Sequence, residues 1–467
     1  MIIRKFSTGL FTTGHLLPYL LGTMLLLLPA CRGGSERKLS AERERTDADK
    51  VKQEFVHAWR GYIRYAAGYD ALQPLSKQGR NWYSHSLLMT PVDAFDTMVL
   101  MGLDEEKEEA KEMIFRDLTF DLDMEVQLFE VTIRLLGGLL SAYQWDGDSR
   151  FLDLATDLGR RLLPAFRSPT GMPYRMVNLR TGATKGKINN PAETGTLILE
   201  FGTLSRLTGD TVYYETARRA LQALYDRRSP LGLVGSGIDV ETGEWTNTVS
   251  HIGGGIDSYL EYLLKAALLF DDDTFLEMYR TSVAAVNRYL ADTAGGSLWY
   301  GQADMFTGER TSTFYGALEA FFPAVLLLSG DTVRARSLQN SNFRMWEMAG
   351  IEPERIDYMK WTITSPAYLL RPENIESAWY LYHATGESRY REMGETYYRS
   401  IREYCRTSAG YAYLKDVRTK EQGDDMESFF LAETLKYLYL LFASPGMIDL
   451  DEVVFNTEAH PLKKVRS

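Results

Sequence analysis

Glu130 and Arg134 stand four residues apart in LFEVTIRLL, so on a helix they share one face. Exposed, such a pair contributes little. Flanked by Leu128, Phe129, Ile133, Leu135 and Leu136, it reads instead as a buried structural ion pair or a functional one. Glu373 and Glu376 follow Arg371-Pro372, where proline suits a first helical turn and the dipole favours carboxylates. They are helix-start acids or site acids. Glu433, inside FFLAETLKYLYLLF, carries the same ambiguity, and Asp93, Asp96 and Glu261 could equally be hydrogen-bonded structural acids. Paired carboxylates among Tyr, Trp and Phe suit glycoside hydrolysis: one acid protonates the leaving oxygen, another activates water or attacks the anomeric carbon. A polysaccharide lyase or a noncatalytic sugar binder fits the same composition.

These acids lie in long apolar stretches, where a carboxylate is costly unless paired, hydrogen-bonded or bound to a cation. Seven such stretches begin at Thr90, Val126, Asn189, Gly253, Thr313, Leu369 and Met426, which implies a shared polar cavity. Apolar helix, tight acidic turn and amphipathic helix recur, with turns at Gly147-Asp148, Gly209-Asp210, Asp272-Asp273, Gly330-Asp331 and Gly386-Glu387 and a looser copy at Gly102-Leu103-Asp104. Glycine supplies the position after a helix, and Asp, Ser or Thr caps the next one. The helix from Val51 to Ala66 and the last, from Met426, close a seventh pair. The second member of each hairpin has a one-sided stripe, as in Phe151, Leu154, Leu158 and Leu162, and the first is apolar nearly all round. Two concentric rings follow, an all-α toroid with its acids converging at one end. Loops 171–184, 232–248 and 295–313 are expected to rim one end.

A net charge of −11 and the lack of a sustained basic run outside the N-terminus exclude a general nucleic-acid binder. Only Cys31 and Cys405 occur, so neither a disulfide framework nor a thiolate zinc site is expected. The six histidines have no HExxH-type spacing. A metal here is therefore oxygen-bound, with calcium the natural candidate. Arg4 and Lys5 precede an apolar run ending in LLPAC at Cys31, which resembles a bacterial lipoprotein signal. The expected organisation is a signal over 1–31, a charged, apolar-poor tether over 32–49 and one catalytic-sized domain over 50–467.

The ordered motifs TPVDAFDTMVLMGL, LFEVTIRLLGGLLSAY, LEFGTLSRLTGD, DSYLEYLLK, AFFPAVLLLSGD, LLRPENIES, MESFFLAETLKYLYLLF and VFNTEAHPL resemble glycoside hydrolase family 47, the class I α-1,2-mannosidases and their ER degradation-enhancing relatives. The resemblance runs from about Glu54 to Leu462. It implies an (α/α)7 barrel, calcium dependence and inversion at the anomeric carbon. By motif, Glu130 matches the general acid and Glu373 the general base. Arg134, Asp257, Glu261, Arg371 and Phe429 match substrate-contacting or site-shaping positions. Thr457 matches the threonine that binds calcium directly, and Glu376, Glu433 and Glu458 match the carboxylates around it, largely through water. Inversion implies roughly 6.5–9.5 Å between the Glu130 and Glu373 carboxylates.

One position departs from the pattern. The family has a third acid seven residues before the proline of AFFP, where this chain has Gly316; Glu319 or Asp304 could stand in for it. The implied function is a calcium-dependent inverting α-mannosidase acting on terminal α-1,2-linked mannose of glycans, at the bacterial cell envelope through a lipid anchor, as a periplasmic or outer-membrane lipoprotein, and as a monomer. The alternatives are a noncatalytic or weakly active mannose-glycan binder, suggested by Gly316, and a hydrolase of another α-mannoside linkage. Restoring the acid as Gly316→Asp is expected to raise the rate of a degraded site.

Overall fold

The computed structural model describes residues 32–444 and 446–464, so the leader expected over 1–31 lies outside the described residues. Fourteen helices among the described residues alternate between an outer and an inner ring. In chain order they are α1 (Arg32–Ala66), α2 (Met89–Met101), α3 (Asp104–Asp117), α4, α5 (Ser149–Leu162), α6 (Ile198–Thr208), α7 (Val212–Tyr225), α8 (Asp257–Phe270), α9 (Asp273–Tyr289), α10 (Phe322–Leu328), α11 (Thr332–Glu347), α12 (Glu373–Thr385), α13 (Ser388–Tyr404) and α14. Helix α4 runs through Leu128–Val131, a π-turn at Thr132–Leu136 and Gly137–Asp146; α14 is a π-turn at Phe430–Thr434 continued by Leu435–Phe442.

The even-numbered helices pack side by side as the inner ring, and α14 closes it by meeting both α2 and its outer partner α1. This is the (α/α)7 toroid. Its two helix types differ as their sequences require. Helix α2 is buried continuously from Met89 to Met98, whereas α5 buries the stripe Phe151, Ala155, Leu158 and Leu162. Gly147 takes φ 89° after α4, a conformation an L side chain resists, and the Asp148 carboxylate then accepts the Arg150 N–H at the head of α5. After α8 the left-handed position falls on Asp271 (φ 55°), one residue before the turn read from the sequence, and Asp272 is the cap. Residues 32–49, expected as a tether, form the first part of α1. Their run of Glu, Arg, Lys and Ala has high helix propensity, which a reading of low hydrophobicity alone overlooks.

The inner helices all start at one end, so the long links that enter them gather there and pair. Glu125–Gln127 pairs with Met176–Asn178, Ile188–Asn189 with Gly237–Asp239, Val249–Ser250 with Gln302–Asp304, and Phe314–Gly316 with Arg355–Asp357. Thus the rim loops are small antiparallel sheets. A C-terminal hairpin, Val453–Phe455 with Pro461–Lys463, enters from the opposite end. It runs along α4, from the Gln144 carbonyl bonded to Lys463 up to the Ile133 carbonyl bonded to Asn456. Gly137 and Gly138 permit this approach: a Cβ on Gly137 would lie 2.6 Å from Asn456 Nδ2, and one on Gly138 3.2 Å from His460 Cε1.

Candidate active site

Two arginines stand across one aromatic ring. The Arg134 guanidinium lies 5.7 Å from the Phe429 ring centre and 5.0 Å from that of Trp82, and Arg371 lies 5.9 Å from Phe429. Arg134 donates through Nε to Glu130 at 3.0 Å and also pairs with Glu458; Arg371 is clamped by Glu354 at 2.9 and 3.2 Å. Solvent reaches Glu130 and Arg371, whose side chains are 23% and 20% exposed, so this is a wall of an open cavity and not a sealed core. The i,i+4 pair read from the sequence is therefore real, and it extends to Glu458 at the hairpin tip.

The remaining expected site acids gather around this wall with too little positive charge. Burial pushes the Glu373 carboxyl up to about 7, with Arg371 opposing and Glu354 and Asp257 adding to the rise; its Oε2 is buried without a hydrogen-bond partner. Burial pushes Asp257 up to about 6, although its Oδ1 accepts the Ser258 N–H at 2.8 Å. Glu376 rises to about 8 from burial, against Lys265 at 3.9 Å, and accepts the Tyr437 hydroxyl at 3.2 Å. Burial holds Glu433 and Glu458 well above the usual carboxylate range, Glu433 beside Glu373 and Glu376 and Glu458 beside Glu433. Thr457 stands next to Glu458 in the hairpin tip, its N–H donated to the Tyr262 hydroxyl at 3.2 Å. Of the expected residues Glu261 is neutralised by Lys265 at 2.5 Å, and Glu130 and Glu458 share the single charge of Arg134.

Beneath lies a second, compensated layer. His460 bridges Asp96 at 2.7 Å and Asp93 at 3.1 Å, and Lys436 reaches Asp96 at 2.6 Å. Burial opposes ionisation here, yet Lys436 and His460 hold Asp96 below its ordinary value, and His460 and Arg134 do so for Asp93. Glu200, pushed to about 7 by burial, accepts from Tyr262 at 2.6 Å and Asn456 at 2.8 Å and so ties the tip to the inner ring. Sequence reasoning missed Glu354, which sits in an inter-helix link with no periodic signal, and the joint role of His460 and Lys436. Lys265 was visible as the i+4 partner of Glu261.

The candidates near Gly316 separate cleanly. Asp304 is a turn acid that accepts the Phe306 and Thr307 N–H groups and the Thr248 hydroxyl. Glu319 is a wall acid: burial raises it to about 7, with Asp257 and Glu354 among its charged neighbours, and its Oε2 accepts the Gly316 N–H at 3.1 Å. A Cβ at Gly316 would meet the Glu354 carbonyl oxygen at 2.1 Å, because residue 316 is paired in a strand. Gly316→Asp therefore collides with backbone, and the rate gain expected from the sequence is reversed to an expected loss.

For calcium the donor chemistry is suitable, since Thr457 and the acids around it offer oxygen and the acids raise one another's protonation. Among the described residues no three His, Cys, Asp or Glu side chains converge closely enough to hold an ion directly.

A closed helical toroid with carboxylates gathered at one mouth suits glycoside hydrolysis. The chain matches the glycosyl hydrolase family 47 pattern over residues 54–464. It is 38% identical to an alpha-mannosidase I of Arabidopsis thaliana, over 90% of this chain and 77% of that protein. It is 37% identical to ER degradation-enhancing alpha-mannosidase-like protein 2 of Mus musculus, over 95% and 82%. Among solved structures, the alpha-1,2-mannosidase from Trichoderma reesei superposes with a TM-score of 0.83 at 27% identity, covering 90% of this chain and 99% of that one. The chain belongs to glycosyl hydrolase family 47.

Proposed function

We propose that this chain is an α-mannosidase that removes terminal α-1,2-linked mannose from glycans with inversion. The observation that carries this reading is the gathering of Arg134, bonded to Glu130, and Arg371, whose charge acts on Glu373, around the one ring of Phe429. The alpha-mannosidase of Arabidopsis thaliana supports the sugar, and the alpha-1,2-mannosidase of Trichoderma reesei the linkage. In this reading Glu130 gives its proton to the leaving glycosidic oxygen. Glu373 takes a proton from water as the water oxygen bonds to the anomeric carbon and the old C–O bond breaks. Burial, with Glu354 and Asp257 adding to the rise against Arg371, keeps Glu373 a strong enough base for that step. Asp257, Glu261, Arg371, Arg134 and Phe429 shape the sugar site.

Calcium would be held directly by Thr457 and through water by Glu376, Glu433 and Glu458. It would supply positive charge and sugar-hydroxyl binding at the floor of the cavity. The test is mannose release from α-1,2-linked mannobiose and a high-mannose glycan, with calcium and with chelator, reading the first-formed anomer by proton NMR. Release of β-mannose only with calcium supports every part; α-mannose as first product removes the inverting mechanism. Glycan binding without release is the second reading, which the lack of an acid at Gly316 favours. Release from another α-mannobiose alone would reassign the linkage. We also propose that Cys31 is lipidated, tethering a monomeric domain to a bacterial cell envelope. The mass of the mature N-terminal peptide and the solution mass of the soluble domain test these two points.

A further inference from the structure

Gly253 leaves its Cβ space to the Glu319 carboxylate, and Gly316 donates its N–H to it. A Cβ on Gly253 would lie 2.5 Å from Glu319 Oε1, 2.6 Å from its Cδ and 3.0 Å from Oε2. A Cβ on Gly316 would lie 3.3 Å from Oε2, the oxygen that already accepts the Gly316 N–H. Glu319 sits on the 3-10 turn Leu318–Phe321 that leads into inner helix α10, at the mouth where the other site acids lie. It is not sealed into packing but partly open to solvent. Its like-charged neighbours, Asp257 and Glu354, are the same two acids that act on Glu373. No cation is paired with it among the described residues, and the fold gives the space beside Gly253 and the Gly316 N–H to keep an acid there.

We infer that Glu319 is a further catalytic carboxyl of this site, a hydrogen-bond acceptor for the water that Glu373 activates. The inference rests on the hydrolase reading above. Water gives one proton to Glu373 as its oxygen bonds to the anomeric carbon, and donates its other O–H to Glu319, which keeps its charge. The leaving oxygen takes the proton of Glu130, so protons balance without a further reagent. Holding the water fixes its lone pair along the line of attack, and the benefit falls on turnover more than on sugar binding.

The experiment compares the wild-type chain with Glu319→Ala, Glu319→Gln and Gly253→Ala, with calcium and α-1,2-linked mannobiose. Glu319→Ala is expected to lower kcat about 100-fold with KM within about threefold, because the water loses its second anchor. Glu319→Gln retains an acceptor oxygen and is expected to lose about tenfold. Gly253→Ala drives a methyl group onto the Glu319 carboxylate without removing any ionisable group, and should lower kcat about tenfold or more. Glycan affinity, measured by calorimetry, should hold in all three. If the wild-type chain turns over and Glu319→Ala or, should it not fold, Gly253→Ala keeps kcat within threefold, the role of Glu319 is overturned and the hydrolase reading stands. If kcat and affinity fall together, Glu319 is a sugar contact and the water assignment is overturned. If the wild-type chain binds glycan but releases no mannose, both readings fall.

Discussion

Two groups of buried acids share the same barrel and differ in one respect. Asp93 and Asp96 are fully buried and held below their ordinary values, because His460, Lys436 and Arg134 surround them. Glu373, Glu376, Glu433 and Glu458 are pushed up chiefly by burial, with other acids adding to the rise and Arg371, Lys265 and Arg134 opposing it without overcoming it. Both groups are carboxylates buried in the same barrel. Compensation separates a structural acid from one kept ready for chemistry.

The largest expected effect comes from the uncompensated group. Glu373→Gln keeps the shape of the side chain but removes the proposed base, and mannose release should fall about 1,000-fold or more with folding unchanged. Activity within tenfold of the original would erase the distinction drawn here. The compensated group should respond in stability instead. Asp96→Asn leaves Lys436 and His460 buried with one acid fewer, and should cost about 3–5 kcal/mol in urea unfolding. A cost below about 1 kcal/mol would show that the layer is not held by charge.

The pH dependence of stability sharpens the contrast. Glu352 is fully buried and accepts from Asn374 at 3.0 Å, and burial among neighbouring acids raises it well above its ordinary value. The native chain therefore binds this proton more tightly than the unfolded chain does. Its contribution is complete below the unfolded carboxyl value and is lost as pH rises toward the native one. Glu352→Gln should flatten that fall and add on the order of 1 kcal/mol at about pH 8, read as the melting temperature across pH in chelator. Asp96 has the opposite sign, its contribution being present above the ordinary aspartate value and lost as pH falls through its native one. The smallest effect should be Ser428→Ala, which removes one hydroxyl donor to Asp93 and should cost about 1 kcal/mol, with turnover within a few-fold.

Much of this was legible beforehand. Helix alternation, the turn glycines and the seventh pair made by α1 and α14 follow from periodicity and capping, which are local. The Glu130–Arg134 pair follows from i,i+4 spacing. Glu354 was not legible, since it meets Arg371 only through a rim sheet that pairs residues far apart in sequence. That residues 32–49 are helical was not read from the sequence, because charge masked helix propensity.

The sequence by itself determined which helices face inward and that their acids crowd toward one mouth, because a 3.6-residue period and a cap are written within a few neighbouring residues. Only the tertiary structure decided which acids find a cation. His460 comes to Asp93 and Asp96 across more than three hundred residues, on a hairpin that enters from the far end of the barrel. Only tertiary packing, too, closed position 316 to any side chain and opened the space taken by Glu319. Charge compensation and steric room depend on distance in space, and distance along the chain does not carry that information.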